Sequence, residues 1–294
     1  MSSHSSFSPT KYKISTITAT GHVNTIVNLP YLFHYVEVVP PETDGIQYVE
    51  LGKDNCKGVQ RKTKNKRKPT VKKFDNQATL LIFLDNAFAN CKVFKNGCIQ
   101  ITGLKRIENG PKYIEYIVDT LKNIYKVQNE VVHDIDNMSV VNYKVRLINT
   151  DFNVGFEIRR DYLFNHMVKT YPGIYTVFEP CIYSGVKINY YHNLTDPNVK
   201  GICKCATPCN GKGSGNGEGD CNKITIAVFR SGSVLVTGGS EYKQIDDAYN
   251  FICKILCSAK KEIHKETLVQ PEIPKTRLMK NTRKTLTLVS SECP

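Results

Sequence analysis

Two stretches of this chain, 93–103 (VFKNGCIQITG) and 228–238 (VFRSGSVLVTG), are similar residue by residue and decide the fold. Each contains Asn-Gly or Ser-Gly between two short segments in which apolar and other residues alternate. Asn-Gly in that setting is a strong signal for a β-hairpin, and Ser-Gly is a weaker one. Two copies of one hairpin in a chain of 294 residues indicate an internal duplication.

The similarity continues upstream of the hairpins. The tripeptide YKI at 12–14 recurs as YKV at 143–145, and YLF at 31–33 recurs at 162–164, in both cases 131 positions later. The hairpins themselves are 135 positions apart. Because the distance changes along the chain, we expect two diverged copies that carry insertions of unequal length.

Each copy has the same predicted order of elements. A β-rich stretch at 13–18 or 144–149 leads into a short amphipathic helix at 31–38 or 162–169. Several strands follow, and the last two form the hairpin. A long helix closes each copy, since apolar residues recur there at helical spacing. The predicted unit is β-α-β4-α, present twice, which is an α+β architecture.

Charge and composition favour a polyanionic partner. Forty Lys and Arg against 27 Asp and Glu give a net charge of +13, which points first to nucleic acid. No apolar run approaches the ~20 residues that span a bilayer, and the first residues do not resemble a signal peptide. We therefore expect no membrane partner, an intracellular location and reduced thiols among the 11 Cys.

The duplicated unit resembles the TATA-box-binding protein family. Both hairpins are similar to the family's (I/V)F-x-(S/N)-G segment ending in T-G, and FEPCIYSG at 178–185 is similar to its YEPELFPG stretch. The likeness is greatest to the versions carried by large DNA viruses. It implies a saddle in which two pseudo-symmetric repeats form a curved antiparallel sheet with helices on the convex face. The implied segments are a flexible N-terminus (1–11), repeat 1 (12–127, with a basic insertion at about 40–73), repeat 2 (140–262, with a Cys- and Gly-rich insertion at about 194–222) and a flexible basic tail (263–294).

In this family the concave face of the sheet lies in the DNA minor groove, and apolar wedges open base steps and bend the duplex. Unstacking costs a few kcal/mol per step and is offset by the wider contact that bent DNA allows. Phe94 and Phe229 match the family's wedges at the ends of the hairpin strands. The implied wedges are Phe94, Phe229, Phe74 and Tyr183.

Alternation along the strands places further residues on the DNA side. In copy two these are small or apolar, which suits the A·T minor groove, where no guanine amino group projects. In copy one Lys92 and Gln100 take the corresponding positions. The family's central Asn pair maps to Thr18 and Asn149, and Thr lacks the separate donor and acceptor of an amide. The implied groove residues are Thr18, Asn149, Lys92, Gln100, Thr102, Ala227, Leu235 and Thr237.

Ten basic residues lie between positions 53 and 73. Such a run repels itself, so we expect a mobile loop. It serves either for phosphate contact beside Phe74 or as a solvated loop or import-like signal. The implied phosphate contacts are Lys72, Lys73, Lys95, Lys105 and Arg230.

Four cysteines, Cys203, Cys205, Cys209 and Cys221, surround a Gly-rich stretch. Four thiolates can hold a tetrahedral structural zinc, which would order a loop too small for a core of its own. The alternative is thiols that are free or oxidised. The Gly-rich stretch lacks the Gly-Lys-Ser/Thr ending of a phosphate loop, which argues against nucleotide binding. We expect no required cofactor.

The leading interpretation is a transcription initiation factor that binds and bends A·T-rich promoter DNA. Its expected partners are a transcription-factor-B-like protein and RNA polymerase, in the nucleus or a cytoplasmic viral factory, with packaging in the virion as a further option. The alternative is an interaction module of the same fold with weak or non-specific DNA binding. No clustered carboxylates or activated nucleophile support an enzyme.

Overall fold

The computed structural model describes residues 8–52, 55–59, 76–193, 201–203, 205 and 221–265. The strands in this part of the chain are β1 (Lys13–His22), β2 (Gly45–Leu51), β3 (Asn55–Gly58), β4 (Gln77–Leu84), β5 (Ala87–Phe94), β6 (Cys98–Leu104), β7 (Val141–Asn153), β8 (Thr176–Val177), β9 (Val186–Asn193), β10 (Cys221–Val228) and β11 (Ser233–Gly239). The helices are α1 (Leu29–Tyr35), α2 (Gly110–Tyr125), α3 (Arg160–Thr170), α4 (Tyr242–Ser258) and α5 (Lys260–Ile263).

The strands form one antiparallel sheet in the order β3-β2-β4-β5-β6-β1-β7-β11-β10-β9-β8. The first strands of the two copies, β1 and β7, meet at its centre, where Ile17 is paired with Ile148. These two residues are 131 positions apart, which is the shift of the sequence repeat. The pseudo-dyad that relates the copies therefore passes between them.

The predicted architecture is confirmed by the element order. Copy two is β7-α3-β8-β9-β10-β11-α4, which is the β-α-β4-α unit, and copy one has the same order with the short strand β3 added. Both hairpins and both long helices lie where the periodicity predicts them. The chain is an α+β protein built on a single antiparallel sheet.

The long helices are fixed to one face of the sheet by their apolar stripes. In α2, Pro111 lies in the first turn and Ile117 and Leu121 are fully buried against the sheet. In α4, Ile245 and Ile252 are buried in the same way. Full burial of such a side chain contributes about 1.5–3 kcal/mol, so packing rather than helix propensity holds these elements in place.

The opposite face of the sheet is different. Along β1, β5, β6 and β11, a buried residue alternates with a half-buried one. The buried set belongs to the core under the helices, so the half-buried set projects from the other side. We call that second side, on the strands that follow one another in the sheet from β4 to β9, the open face.

Three sequence-based limits need correction. Gly45–Leu51 lies inside the predicted basic insertion at 40–73, yet it pairs with β4 as strand β2. The predicted flexible N-terminus at 1–11 includes Thr10, whose backbone N–H donates to the Asn153 carbonyl. The predicted tail at 263–294 includes His264, which bridges to Ile158. Among the helices described, none has the length and apolar character needed to cross a bilayer.

Candidate nucleic-acid interface

The centre of the open face contains the two positions that match the family's Asn pair. Thr18 is paired with Leu147 and Asn149 with Thr16, so Thr18 and Asn149 lie on either side of the pseudo-dyad. On the next strands outward, Thr18 is paired with Thr102 and Asn149 with Thr237. The structure thus brings these four predicted residues together at the middle of one surface.

The two outer threonines make the same hydrogen bond in both copies. The Thr102 hydroxyl donates to the carbonyl oxygen of Asn90 at 3.4 Å, and the Thr237 hydroxyl donates to that of Thr225 at 3.5 Å. Each hydroxyl is therefore engaged by the neighbouring strand. Asn90 and Thr225 are themselves open-face residues that the sequence analysis missed, although alternation from Lys92 and Ala227 would have found them.

Copy two presents an apolar row. Leu235 is paired with Ala227, and Ala227 is paired on its other side with Lys187. Ala227 is only 4% exposed, because its short side chain is covered by those of its neighbours. The accessible apolar surface of this row therefore belongs mainly to the half-buried Leu235.

Copy one presents a polar row at the corresponding positions. Gln100 is paired with Thr20 on one side and with Lys92 on the other, and Lys92 is paired with Thr79. All four are half-buried. An ammonium and an amide thus stand where copy two has a methyl group and an isobutyl group.

A second difference between the copies lies across the central strands and was missed by sequence reasoning. Arg146 donates from its Nε to the Thr20 hydroxyl at 2.8 Å, and the Ser15 hydroxyl donates to a carboxylate oxygen of Asp151. A shift of 131 relates Ser15 to Arg146 and Thr20 to Asp151, so the two contacts are pseudo-symmetric. Copy one's row consequently has a guanidinium beside it, whereas copy two's row has a carboxylate.

The aromatic pair of copy two lies at one end of β10. The rings of Tyr183 and Phe229 have centroids 5.8 Å apart and are inclined at 63°. A Cβ atom at Gly185 would lie 3.0 Å from the Tyr183 ring and 3.1 Å from the Phe229 ring, so this position favours glycine. Beside the pair is an open cavity of about 480 Å³ that reaches Ile182 and Lys187.

The predicted hairpin wedge of copy one lies at the equivalent strand end. Phe94 is the last residue of β5, is paired with Gln77, and is half-buried beside Ile26 and Cys98. Its predicted aromatic partner Phe74 and the neighbouring basic residues lie outside the described residues. Those predictions are Phe74, Lys72 and Lys73.

Three of the predicted phosphate contacts lie in the described part of the chain, and they differ in the contacts that their charged groups make within the protein. Lys95 is exposed at the hairpin turn. The Lys105 ammonium donates to the carbonyl oxygens of Ile14 and Ser15, which holds it at the end of β1. Arg230 places its Nε 3.6 Å from a carboxylate oxygen of Glu157.

An acidic residue, Glu50, lies on β2 near the copy-one edge of the sheet. On β2 the Tyr48 hydroxyl donates to a carboxylate oxygen of Glu50 at 2.8 Å. Burial, together with that carboxylate, raises the pKa of the Tyr48 phenol well above its ordinary value. The raised pKa extends to higher pH the range in which the protonated phenol donates to Glu50.

Three of the four predicted cysteine ligands lie close together. The sulfur atoms of Cys203, Cys205 and Cys221 are all within 4.8 Å of one another, an arrangement that could bind a metal ion. Cys209 lies outside the described residues.

No family model matches the chain. A protein described as TATA-box-binding protein-like, from Acanthamoeba polyphaga mimivirus, is 30% identical over 282 residues, which is 90% of this chain and 71% of that protein. Among solved structures, Methanococcus jannaschii TBP is similar over 85% of this chain and 99% of its own, with 16% identity and a TM-score of 0.43.

Proposed function

Because this chain belongs to the TATA-box-binding protein family, we propose that it is a transcription initiation factor whose open face binds A·T-rich promoter DNA through the minor groove. The observation that carries the proposal is the open face itself. It is one side of a continuous antiparallel sheet, its side chains are only half-buried, and the core and the long helices occupy the other side. The net charge of +13 supports a polyanionic partner.

Preference for A·T pairs is assigned mainly to copy two. Leu235 offers apolar surface, and the hydroxyl of nearby Thr237 is engaged by Thr225 of the neighbouring strand β10. Such a surface fits the floor of an A·T groove, which lacks the guanine amino group. In a G·C groove that amino group would be packed against apolar atoms and would lose its hydrogen bonds to water. Groove width and deformability add to the preference at positions that no side chain touches.

Bending is assigned to the aromatic residues at the strand ends. Phe229 and Tyr183 form the wedge of copy two, and Phe94 with Phe74 forms that of copy one. The Tyr183 side chain is 43% exposed, so it can reach a base step without unfolding of the strand end. Each opened step costs a few kcal/mol, offset by the contacts that bent DNA gains along the sheet.

Phosphate contacts supply affinity without sequence preference. Lys95 is available as it stands, whereas Arg230 must exchange the carboxylate of Glu157 for a phosphate. Both side chains of that pair are about half exposed, and exposed ion pairs contribute only about 0–1 kcal/mol. The exchange therefore presents little barrier. Lys72, Lys73 and Lys105 complete the proposed set.

The helix-covered side is assigned to a transcription-factor-B-like protein and RNA polymerase, in the nucleus or a cytoplasmic viral factory of an infected cell. DNA binding by shape and charge needs no cofactor and no catalytic step.

A second candidate function is a protein-interaction module with weak, non-specific DNA binding. It is favoured by the charged and polar groups on the open face, above all Lys92, Gln100 and Asp151. An acidic group at this place repels phosphates, and a buried amide that finds no partner in the groove weakens binding.

A competition gel shift separates the two functions. The full chain is bound to a labelled TATA-containing duplex and challenged with unlabelled duplexes of the same length, either identical or with the A·T run replaced by G·C. The proposed function predicts that the identical duplex competes at least tenfold more effectively. Equal, weak competition by both duplexes would overturn it in favour of the interaction module.

A further inference from the structure

We propose that Cys203, Cys205 and Cys221 bind one zinc ion, which fastens the segment around 201–205 to the first residue of β10. The proposal goes beyond DNA binding, because the cluster is at the opposite end of β10 from Phe229. At about 3.4 Å per residue along a strand, that separation is about 27 Å.

The distances between the sulfur atoms fit a shared metal. The Cys221 sulfur is 3.4 Å from that of Cys203 and 3.5 Å from that of Cys205. A zinc–sulfur bond is about 2.3 Å, so tetrahedral thiolates around zinc are about 3.8 Å apart. A disulfide would need about 2.05 Å and would engage only two of the three sulfurs.

The backbone around the cluster is already positioned. Cys221 is fully buried at the start of β10, where it is paired with Asn193 of β9. The amide of Asn193 donates to the carbonyl oxygen of Ile202 at 2.9 Å, and Tyr191 donates its backbone N–H to Gly201 at 3.2 Å. These contacts hold the chain against β9 immediately before Cys203. The sulfurs of Cys203 and Cys205 can therefore share a metal ion with Cys221 without rearrangement of the sheet.

The donor set selects the class of ion. Three sulfur ligands exclude the hard cations Mg²⁺ and Ca²⁺, which take oxygen. Zinc is the redox-inert ion that closes such sites in proteins, and its binding energy orders loops that have no core of their own. Three thiolates leave one position of a tetrahedral zinc for a fourth ligand.

Metal content of the purified full chain tests the site. After expression with zinc and purification under reducing conditions, elemental analysis should give one zinc per chain. Cys203→Ser and Cys205→Ser change half-buried positions and should each lower this at least fivefold. Cys257→Ser, at an exposed position of α4, is the matched control and should keep the full amount. A wild-type chain without zinc, or a Cys203→Ser chain with as much zinc as the control, would overturn the site.

A measurement on the wild-type chain alone covers the case in which a variant fails to fold. Removing the metal with a chelator under reducing conditions should accelerate hydrogen exchange at the Tyr191 amide, which bonds to Gly201, and leave exchange in the distant hairpin at Val93 unchanged. Equal exchange before and after chelation would contradict the proposal. Neither test involves DNA, so the zinc site and the proposed DNA binding stand or fall separately.

Discussion

At the level of single residues, the duplication provides its own controls. Lys92 and Gln100 of copy one are paired with each other, as Ala227 and Leu235 of copy two are. The backbone register is therefore the same, and only the side chains differ. Exchanging these side chains between the copies therefore tests their contribution to DNA binding without a change of register.

Replacing copy one's pair by copy two's pair should sharpen sequence preference. The Lys92→Ala, Gln100→Leu double variant removes one charge and two hydrogen-bonding groups from the open face. We expect the affinity ratio between A·T and G·C duplexes to rise about threefold or more, and the salt slope of binding to fall by about one. Fluorescence anisotropy titrations at several salt concentrations measure both. The reverse exchange, Ala227→Lys with Leu235→Gln, is the control and should lower this affinity ratio. An unchanged ratio in both double variants would refute a role of these rows in sequence preference.

The pseudo-symmetric contacts across β1 and β7, Arg146 with Thr20 and Ser15 with Asp151, allow a second exchange. Arg146→Ser and Asp151→Thr each install the counterpart residue from the other copy. Loss of the guanidinium should weaken binding to all duplexes and lower the salt slope by about one. Loss of the carboxylate should strengthen binding to all duplexes several-fold, because a repulsion is removed. If both variants bind like the wild type at low salt, these groups do not face the DNA.

At the level of elements, each hairpin turn depends on one glycine. Gly232 has φ of +80°, and a Cβ there would lie 2.3 Å from the carbonyl oxygen of Phe156. Gly97 is alike, with φ of +85° and 2.1 Å to the carbonyl oxygen of Thr25. In both copies, therefore, the turn beside the proposed wedge packs on the chain that leads into the first helix of that copy.

Gly232→Ala should destabilise the protein through both strain and collision. Gly155 is the matched control, because its φ is +82° but no atom lies within 4 Å of its added Cβ. We expect Gly155→Ala to lower the free energy of unfolding by about 1 kcal/mol, from backbone strain alone. Gly232→Ala should lower it by about 3 kcal/mol, since backbone must also move. Urea denaturation compares the two variants; equal losses would show that the contact with Phe156 does not restrain the turn.

The elements that could be predicted are those with local signals. Asn-Gly and Ser-Gly between alternating residues located the hairpins, and helical spacing located α2 and α4. Strand β2 was missed because it lies next to a highly basic run and its partner β4 follows only after residue 76. The Arg146–Thr20 contact depends on register between two strands distant in sequence, and the Arg230–Glu157 pair depends on packing of the hairpin turn against the segment before α3. Periodicity encodes neither.

The same reasoning applies to the candidate site. The wedge positions came from the family resemblance, and their spacing alone would not have singled them out. The contact between Tyr183 and Phe229 links residues on opposite sides of a long insertion. The cysteine cluster was suggested by composition, but only the return of the chain at Gly201 brings two of its sulfurs to Cys221.

At the level of the whole molecule, one symmetric sheet has an asymmetric surface. The pseudo-dyad at Ile17 and Ile148 relates the backbones of the copies, while the open face is polar and basic on one side and apolar on the other. We expect copy two to carry most of the preference for A·T pairs, and copy one to contribute attraction to phosphates. DNA should consequently bind in one preferred orientation.

The most direct test of the proposed function is the bend that the protein imposes on DNA. A TATA-containing duplex labelled at its two ends with a donor and an acceptor reports bending as an increase in energy transfer. The wild-type chain should increase the transfer, and Phe229→Ala should bind at least tenfold more weakly and give a smaller increase at saturation, because one wedge is lost. Tyr35→Ala, at an exposed position of α1, is the control and should match the wild type. Saturated complexes of wild type and Phe229→Ala with the same energy transfer as free DNA would contradict a bending factor of this kind.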